Sequence, residues 1–261
     1  MGPDSSLQMQ AQPKPHRRLK RVLLSLLILL AVIAAGFAWY VNDYYHADAT
    51  ALAAASDENG TADGVTVREL AGGDLAFVPN HPVAGLIFYP GGKVQPEAYA
   101  PLMERCAQQG VLCVLVKPLF NLAILDMNAA DGIAAQFPGI ETWAIAGHSL
   151  GGVAAAEYLA KHAGDFHVVA FLASYPSTDL STFTGSALSV VGSNDHVLDR
   201  AKYEDARVNL PTQSRELVIE GGNHARFGNY GEQAGDGTAT ISPEQQQEQT
   251  AAALVELAKA A

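Results

Sequence analysis

Ala146-Gly147-His148-Ser149-Leu150-Gly151-Gly152 is the stretch on which the reading of this chain turns. It is a G-x-S-x-G pattern with one further glycine. It lies between an apolar run that reads as a strand, 143–146, and a segment that reads as a helix, 152–162. A tight strand-to-helix turn of this kind holds its serine in a strained backbone conformation with Oγ exposed. Gly147 and Gly151 carry no side chains to keep strand and helix apart, and the N-terminus of the new helix aims free backbone N–H groups at the same spot. Common residues make the bare pattern by chance, so its weight comes from the flanking strand, the helix and the second glycine.

A serine hydroxyl needs a base, and the base needs an acid to orient it. On a strand–turn–helix elbow these follow in chain order, acid before histidine. Downstream of Ser149 stand His162, His167, His196 and His224. His162 ends a helix-like segment and His167 begins a strand, which suits structural roles. His224 lies in Gly221-Gly222-Asn223-His224, directly after the last apolar run, and is the expected base. Asp195, in Gly192-Ser193-Asn194-Asp195-His196, follows the preceding run and is the expected acid. Asp199 and Asp179 are its rivals, the first at a helix start and the second after an earlier strand. An oxyanion would need two N–H donors. Leu150 supplies one, and Gly92 or Lys93, in Tyr89-Pro90-Gly91-Gly92-Lys93, the other. That loop lacks the spacing and the Lys-Ser/Thr ending of a phosphate-binding loop.

Outward from the elbow, short apolar runs alternate with helix-like segments. Strands are expected at 65–70, 74–78, 83–89, 111–117, 142–146, 168–173, 187–191 and 216–219. Helices are expected at 96–109, 122–136, 150–162 and 199–208, with a last one opened by Ser242-Pro243-Glu244-Gln245, a capping-box pattern. Unbroken runs such as Val111-Leu112-Cys113-Val114-Leu115-Val116 fit strands covered on both faces. The expected fold is therefore α/β: a doubly wound, mostly parallel sheet of eight strands with helices on both faces. Cys106 and Cys113 read as two buried free thiols, although an oxidising compartment would permit a disulfide.

These marks resemble the α/β-hydrolase fold family, and within it the dienelactone-hydrolase-like branch often called alpha/beta hydrolase fold-5. The resemblance covers 64–261. It rests on Ile87-Phe88-Tyr89-Pro90-Gly91-Gly92-Lys93, the elbow at Ser149, Gly192-Ser193-Asn194-Asp195, and Gly222-Asn223-His224-Ala225-Arg226-Phe227-Gly228. It implies a Ser149–Asp195–His224 triad and acyl-transfer chemistry with neither metal nor organic cofactor. Two departures bear on substrate and not on fold. Dienelactone hydrolases use Cys where this chain has Ser149, and Pro90 stands where many lipases begin a His-Gly-Gly-Gly loop. The connection from Ala173 to Ala187 is too short for a helical cap, so an open crevice for small acyl groups is expected. Phe120, Tyr175 and Phe227 could line it, and each could equally belong to the core. The polar, Gly-rich loop 228–237 is expected at the rim of the site.

The first fifty residues have another character. An apolar run over 22–41 is long enough, at about 30 Å of helix, to cross a bilayer. Lys14, Arg17, Arg18, Lys20 and Arg21 precede it, and Trp39, Tyr40, Tyr44 and Tyr45 mark its far end. The positive-inside rule then puts the N-terminus in the cytoplasm and the remainder outside. A cleaved signal peptide is the rival, but its apolar core usually runs about 7–15 residues. The expected organisation is a basic head at 1–21, a transmembrane helix at 22–41, a stalk at 42–63 and an α/β-hydrolase domain at 64–261. Net charge divides the same way. Of 16 basic and 27 acidic residues, five and one lie in 1–21, leaving 11 against 26 beyond it, or −15. So acidic a body argues against a nucleic-acid partner, because phosphate contacts need Lys and Arg.

The expected function is a membrane-anchored, extracytoplasmic serine hydrolase, an esterase acting on small carboxylic esters. The alternatives are a thioesterase, peptidase or acyltransferase on the same triad, or a binding module that has lost catalysis. The expected partners are an acyl substrate and, through 22–41, the membrane.

Overall fold

The structure is a computed structural model, and it describes residues 16–56 and 64–260. The expectations for 1–15 of the head and 57–63 of the stalk lie outside the described residues. The chain divides into two compact units, Met1–Asp43 and Tyr44–Ala261.

The first unit is one helix, α1, His16–Asn42. Its stretch Leu19–Asn42 contains an 18-residue core of mean hydropathy 2.7, long and apolar enough to cross a membrane, and none of that core is buried.

The second unit is built on eight strands: β1 Val65–Glu69, β2 Leu75–Pro79, β3 Ala84–Tyr89, β4 Val111–Leu115, β5 Trp143–His148, β6 Val168–Leu172, β7 Ser186–Gly192 and β8 Ser214–Ile219. Each lies within two residues of its expected bounds. They form one sheet in the order β1-β2-β4-β3-β5-β6-β7-β8. β2 pairs antiparallel with β1 and with β4, and every other pairing is parallel. The register brings Tyr89 beside Gly147, His148 beside Leu172, and Gly192 beside Ile219. The carboxyl ends of β3, β5, β6, β7 and β8 therefore share one edge, where ligands bind in open α/β sheets.

Alternate residues of the central strands feed two cores. Leu86, Phe88, Val111, Cys113 and Leu115 face one, with α3 (Ala100–Gln108) and α6 (Pro243–Lys259) packed over it. Ile87, Tyr89, Leu112 and Val114 face the other, covered by α4 (Leu150–Lys161). Burial on both faces explains why these strands read as continuous apolar runs. Each fully buried Phe, among them Phe77, Phe88 and Phe171, contributes about 1.5–3 kcal/mol. Cys106 and Cys113 are free and buried, and burial pushes the Cys113 thiol up. The capping box on α6 is formed by Ser242 and Gln245, with Pro243 in its first turn. The remaining helices are α2, Ala49–Ala55, and α5, Arg200–Asp205.

Two expectations change. The segment 122–136 is not a helix; it is a series of turns with short 3-10 pieces at Ala123–Leu125 and Ala134–Gln136. The hydroxyl of Tyr89, buried beneath it, donates to Met127 C=O at 2.7 Å and accepts from Ala130 N–H at 3.1 Å. A continuous α-helix would instead pair Met127 C=O with Asp131 N–H and Ala130 N–H with Asp126 C=O. The compact body also begins earlier than 64, inside the stretch read as a stalk. Tyr45 N–H donates to Lys93 C=O (2.8 Å), Gln95 N–H to Tyr45 C=O (2.9 Å) and Asp48 N–H to Asn229 C=O (2.9 Å). Asp48 caps α2, whose Ala51 is fully buried. The segment 44–56 is thus stitched to the loop after β3 and to the loop after His224.

Candidate active site

Ser149 joins β5 to α4 with φ 51° and ψ −122°. A side chain at positive φ costs about 1–3 kcal/mol and persists only where its surroundings over-determine it. Three hydrogen bonds do so here. Ser149 N–H donates to Leu172 C=O at 2.9 Å, and Ser149 C=O accepts from Gly152 N–H at 3.0 Å and from the Ser174 hydroxyl at 2.6 Å. The glycines leave no room for alternatives. A Cβ on Gly147 would lie 2.4 Å from Gly151 C=O, and one on Gly151 would lie 2.3 Å from Pro90 C=O. The loop after β3 is therefore pressed against the elbow.

That contact separates the two oxyanion candidates of the loop. Lys93 N–H is committed to Asn121 C=O at 2.8 Å. Gly92 lies directly against Leu150, where a Cβ would come within 2.8 Å of Leu150 Cδ2. Leu150 opens α4, so its N–H has no acceptor one turn back. Gly92 and Leu150 are the pair that the fold brings together.

Asp195 and His224 also meet. His224 Nδ1 lies 2.9 Å from Asp195 Oδ2, and because a carboxylate can only accept, Nδ1 carries the proton. The other oxygen of Asp195 accepts from Val197 N–H (2.9 Å) and Leu198 N–H (2.8 Å). Both residues are buried. Burial alone would raise the Asp195 pKa, but His224 and the two amides outweigh it and hold the carboxyl below its usual value. His224 Nε2 is buried and has no hydrogen-bond partner among the described residues, so the bond from Ser149 Oγ is not made in this structure. Such bonds are often long before substrate binds.

The rivals sit elsewhere. Asp199 caps α5, Asp179 accepts Ser181 N–H in a turn, and His162 stacks on Tyr158 and bonds its carbonyl. Of the three aromatics expected to line a crevice, Phe120 is half exposed, at φ 58°. Tyr175 packs against Val191, Leu198 and Tyr203. Phe227 corrects the expectation: it is fully buried, with its ring 5.5 Å from that of His148, and belongs to the core. The loop 228–237 lines a polar cavity of about 220 Å³ with Asp48, Asn223 and Arg226, and Ser149 is not among its walls.

Tyr99, His148 and Ser174 escaped the sequence reading. Tyr99 lies inside an expected helix, His148 inside the elbow pattern and Ser174 in the connection after the expected strand 168–173, and none is marked there by its residue type. The one available signal was that His148 fills the variable position before the serine.

The profile of the alpha/beta hydrolase family matches residues 85–248. The chain belongs to this family. Among solved structures, this alpha/beta hydrolase is similar to a predicted CIB-like hydrolase from Thermoplasma acidophilum, at 17% identity and TM-score 0.53 over 74% of this chain and 100% of that one. A dienelactone hydrolase from Anabaena variabilis gives 18% identity and TM-score 0.57 over 74% and 97%. Est1E from Butyrivibrio proteoclasticus gives 14% and 0.51 over 74% and 96%. At these identities the likeness is one of fold. No curated protein matches the sequence.

Proposed function

We propose that this alpha/beta hydrolase is a membrane-anchored serine hydrolase that cleaves small carboxylic esters. The observation that carries the reading is the buried Asp195–His224 pair at the same sheet edge as a serine held at positive φ. In this reading His224 Nε2 takes the proton of Ser149 Oγ as the oxygen attacks the ester carbonyl. Leu150 N–H and Gly92 N–H receive the developing oxyanion. His224 then returns the proton to the leaving alcohol, and the acyl-enzyme is released by a water that His224 activates. Asp195, held below its usual pKa, stays ionised and steadies the imidazolium.

The uncovered apolar stretch Leu19–Asn42 supports the anchor, and the basic residues before it support a cytoplasmic N-terminus with Tyr44–Ala261 outside. Alkaline washing of membranes should leave the protein in the pellet, and recovery of the whole population as a shortened soluble form would show a cleaved signal instead.

A p-nitrophenyl ester series of increasing acyl length tests the activity. Short esters should turn over fastest, and Ser149→Ala should remove turnover. Folded wild-type protein that hydrolyses none of them would end the esterase reading.

A further inference from the structure

The proposed chemistry uses one histidine, but two lie buried side by side. His148 precedes Ser149, is 1% exposed, and its ring centroid is 4.6 Å from that of His224. The Tyr99 hydroxyl accepts from Gly91 N–H at 3.1 Å and lies 2.7 Å from His148 Nδ1, a contact in which either group can donate. His148 Nε2 is buried with no hydrogen-bond partner among the described residues. With the hydroxyl as donor, Nδ1 is an acceptor and the ring proton sits on Nε2. His224 is the reverse, with its proton on Nδ1 toward Asp195.

We propose that His148 is a positioning residue for His224, held in one tautomer by Tyr99 and bracing the base against the loop that carries Gly91 and Gly92. The inference rests on the hydrolase reading above. Four separate places in the chain contribute: the loop after β3, the turn before α3, the end of β5 and the loop after β8. Their contacts leave little play. A Cβ on Gly91 would lie 2.7 Å from the Tyr99 hydroxyl and 2.8 Å from His148 Nδ1, so the backbone rests on the pair. Phe227 packs against His148, and Phe88 and Tyr230 pack against Tyr99. The titratable groups facing His148 are Tyr99 and His224, with Tyr230 behind Tyr99 and Asp195 behind His224. Burial first, and His224 second, push the His148 pKa well below that of an ordinary histidine. When His224 takes a proton in the catalytic cycle, it therefore meets a neutral neighbour and not a second cation. The hydroxyl of Tyr99 thus ties the geometry of the oxyanion loop to that of the base.

The full-length protein, labelled with 15N-histidine, tests this directly. His148 should stay neutral with its proton on Nε2 between about pH 8 and 5, the window in which an ordinary histidine titrates. A His148 that titrates there, or that carries its proton on Nδ1, overturns the proposal. Tyr99→Phe should lower kcat on p-nitrophenyl acetate by about 10-fold to 100-fold while KM stays within about 2-fold, the pattern of lost alignment. Tyr203→Phe, which removes a part-buried hydroxyl that is bonded to Glu216 and contributes no bond to the elbow, should leave kcat unchanged. A folded Tyr99→Phe with the wild-type kcat also overturns the proposal. If that variant does not fold, the wild-type spectrum decides alone. A fluorophosphonate probe separates the two ideas. Failure to label wild type sinks the hydrolase reading, whereas labelling with an unaffected Tyr99→Phe sinks only the role of His148.

Discussion

The turn that carries Ser149 and the loop that carries His224 stand at the same sheet edge but are held by different physics. The elbow is fixed by close contact and backbone bonds: Gly147 against Gly151, Gly151 against Pro90, a hydrogen bond from Ser149 N–H to Leu172 C=O at the end of β6, and one from the Ser174 hydroxyl to Ser149 C=O. The base loop is fixed by side-chain amides. Gln246, fully buried on α6, accepts Asn223 N–H at 3.0 Å and donates to Asn223 C=O at 2.8 Å. Asp236 accepts Ala225 N–H at 2.9 Å, and Gln247 donates to Asn229 at 2.7 Å. Close backbone packing tolerates no added atom. An amide framework tolerates changes of shape but not the loss of a partner. The lesson is that substitutions should fail differently in the two places.

The largest effect should come from breaking the link between the halves. Asp195→Asn keeps the volume but loses the carboxylate that sets the His224 tautomer, and kcat should fall about 10⁴-fold with the protein still folded. A loss under about 10-fold would make Asp195 an ordinary turn residue. Next is the elbow: Gly151→Ala puts a methyl against Pro90 C=O and should destabilise by about 3 kcal/mol or more, read as loss of soluble protein or a large fall in the denaturant midpoint. In the base loop, Gln246→Ala leaves two buried backbone groups of Asn223 unpaired, and about 2 kcal/mol should be lost, with kcat falling as His224 loosens. If Gln246→Ala cost as much as Gly151→Ala, the contrast between the two regions would collapse. Ser174→Ala removes one of the three bonds on Ser149 and should cost only about 1 kcal/mol, with a slower rate of labelling by a serine-reactive probe.

The smallest effect is set by pH. The Asp195 pKa is lowered in the folded protein, so the carboxylate contributes stability above its unfolded value of about 3.9. That contribution disappears as pH falls through the lower, folded value. A midpoint for acid unfolding that is unchanged in Asp195→Asn would contradict this.

How much of this could be read in advance follows the same division. The strands were legible because burial on both faces leaves runs such as 111–116 with no polar residue. The elbow was legible because close packing demands glycine at particular spacings, which survives as a pattern in the chain. Asp195 and His224 followed from chain order at strand ends. The amide framework around His224 was not legible, since a buried Gln246 looks in sequence like any glutamine of an exposed helix face. Nor was the loss of the helix over 122–136, because the group that competes for its backbone, the Tyr89 hydroxyl, lies more than thirty residues earlier. Phe227 was open to either a lining or a core role, because nothing in the one-dimensional pattern separates a lining aromatic from a core one.

The central claim is that Ser149 is the nucleophile. The most direct measurement is to treat the full-length protein with a fluorophosphonate and locate the adduct by peptide mass spectrometry. The account predicts one adduct, on Ser149, absent from Ser149→Ala and strongly slowed in His224→Ala. Folded wild-type protein that remains unlabelled, or an adduct on another serine that survives Ser149→Ala, would contradict it.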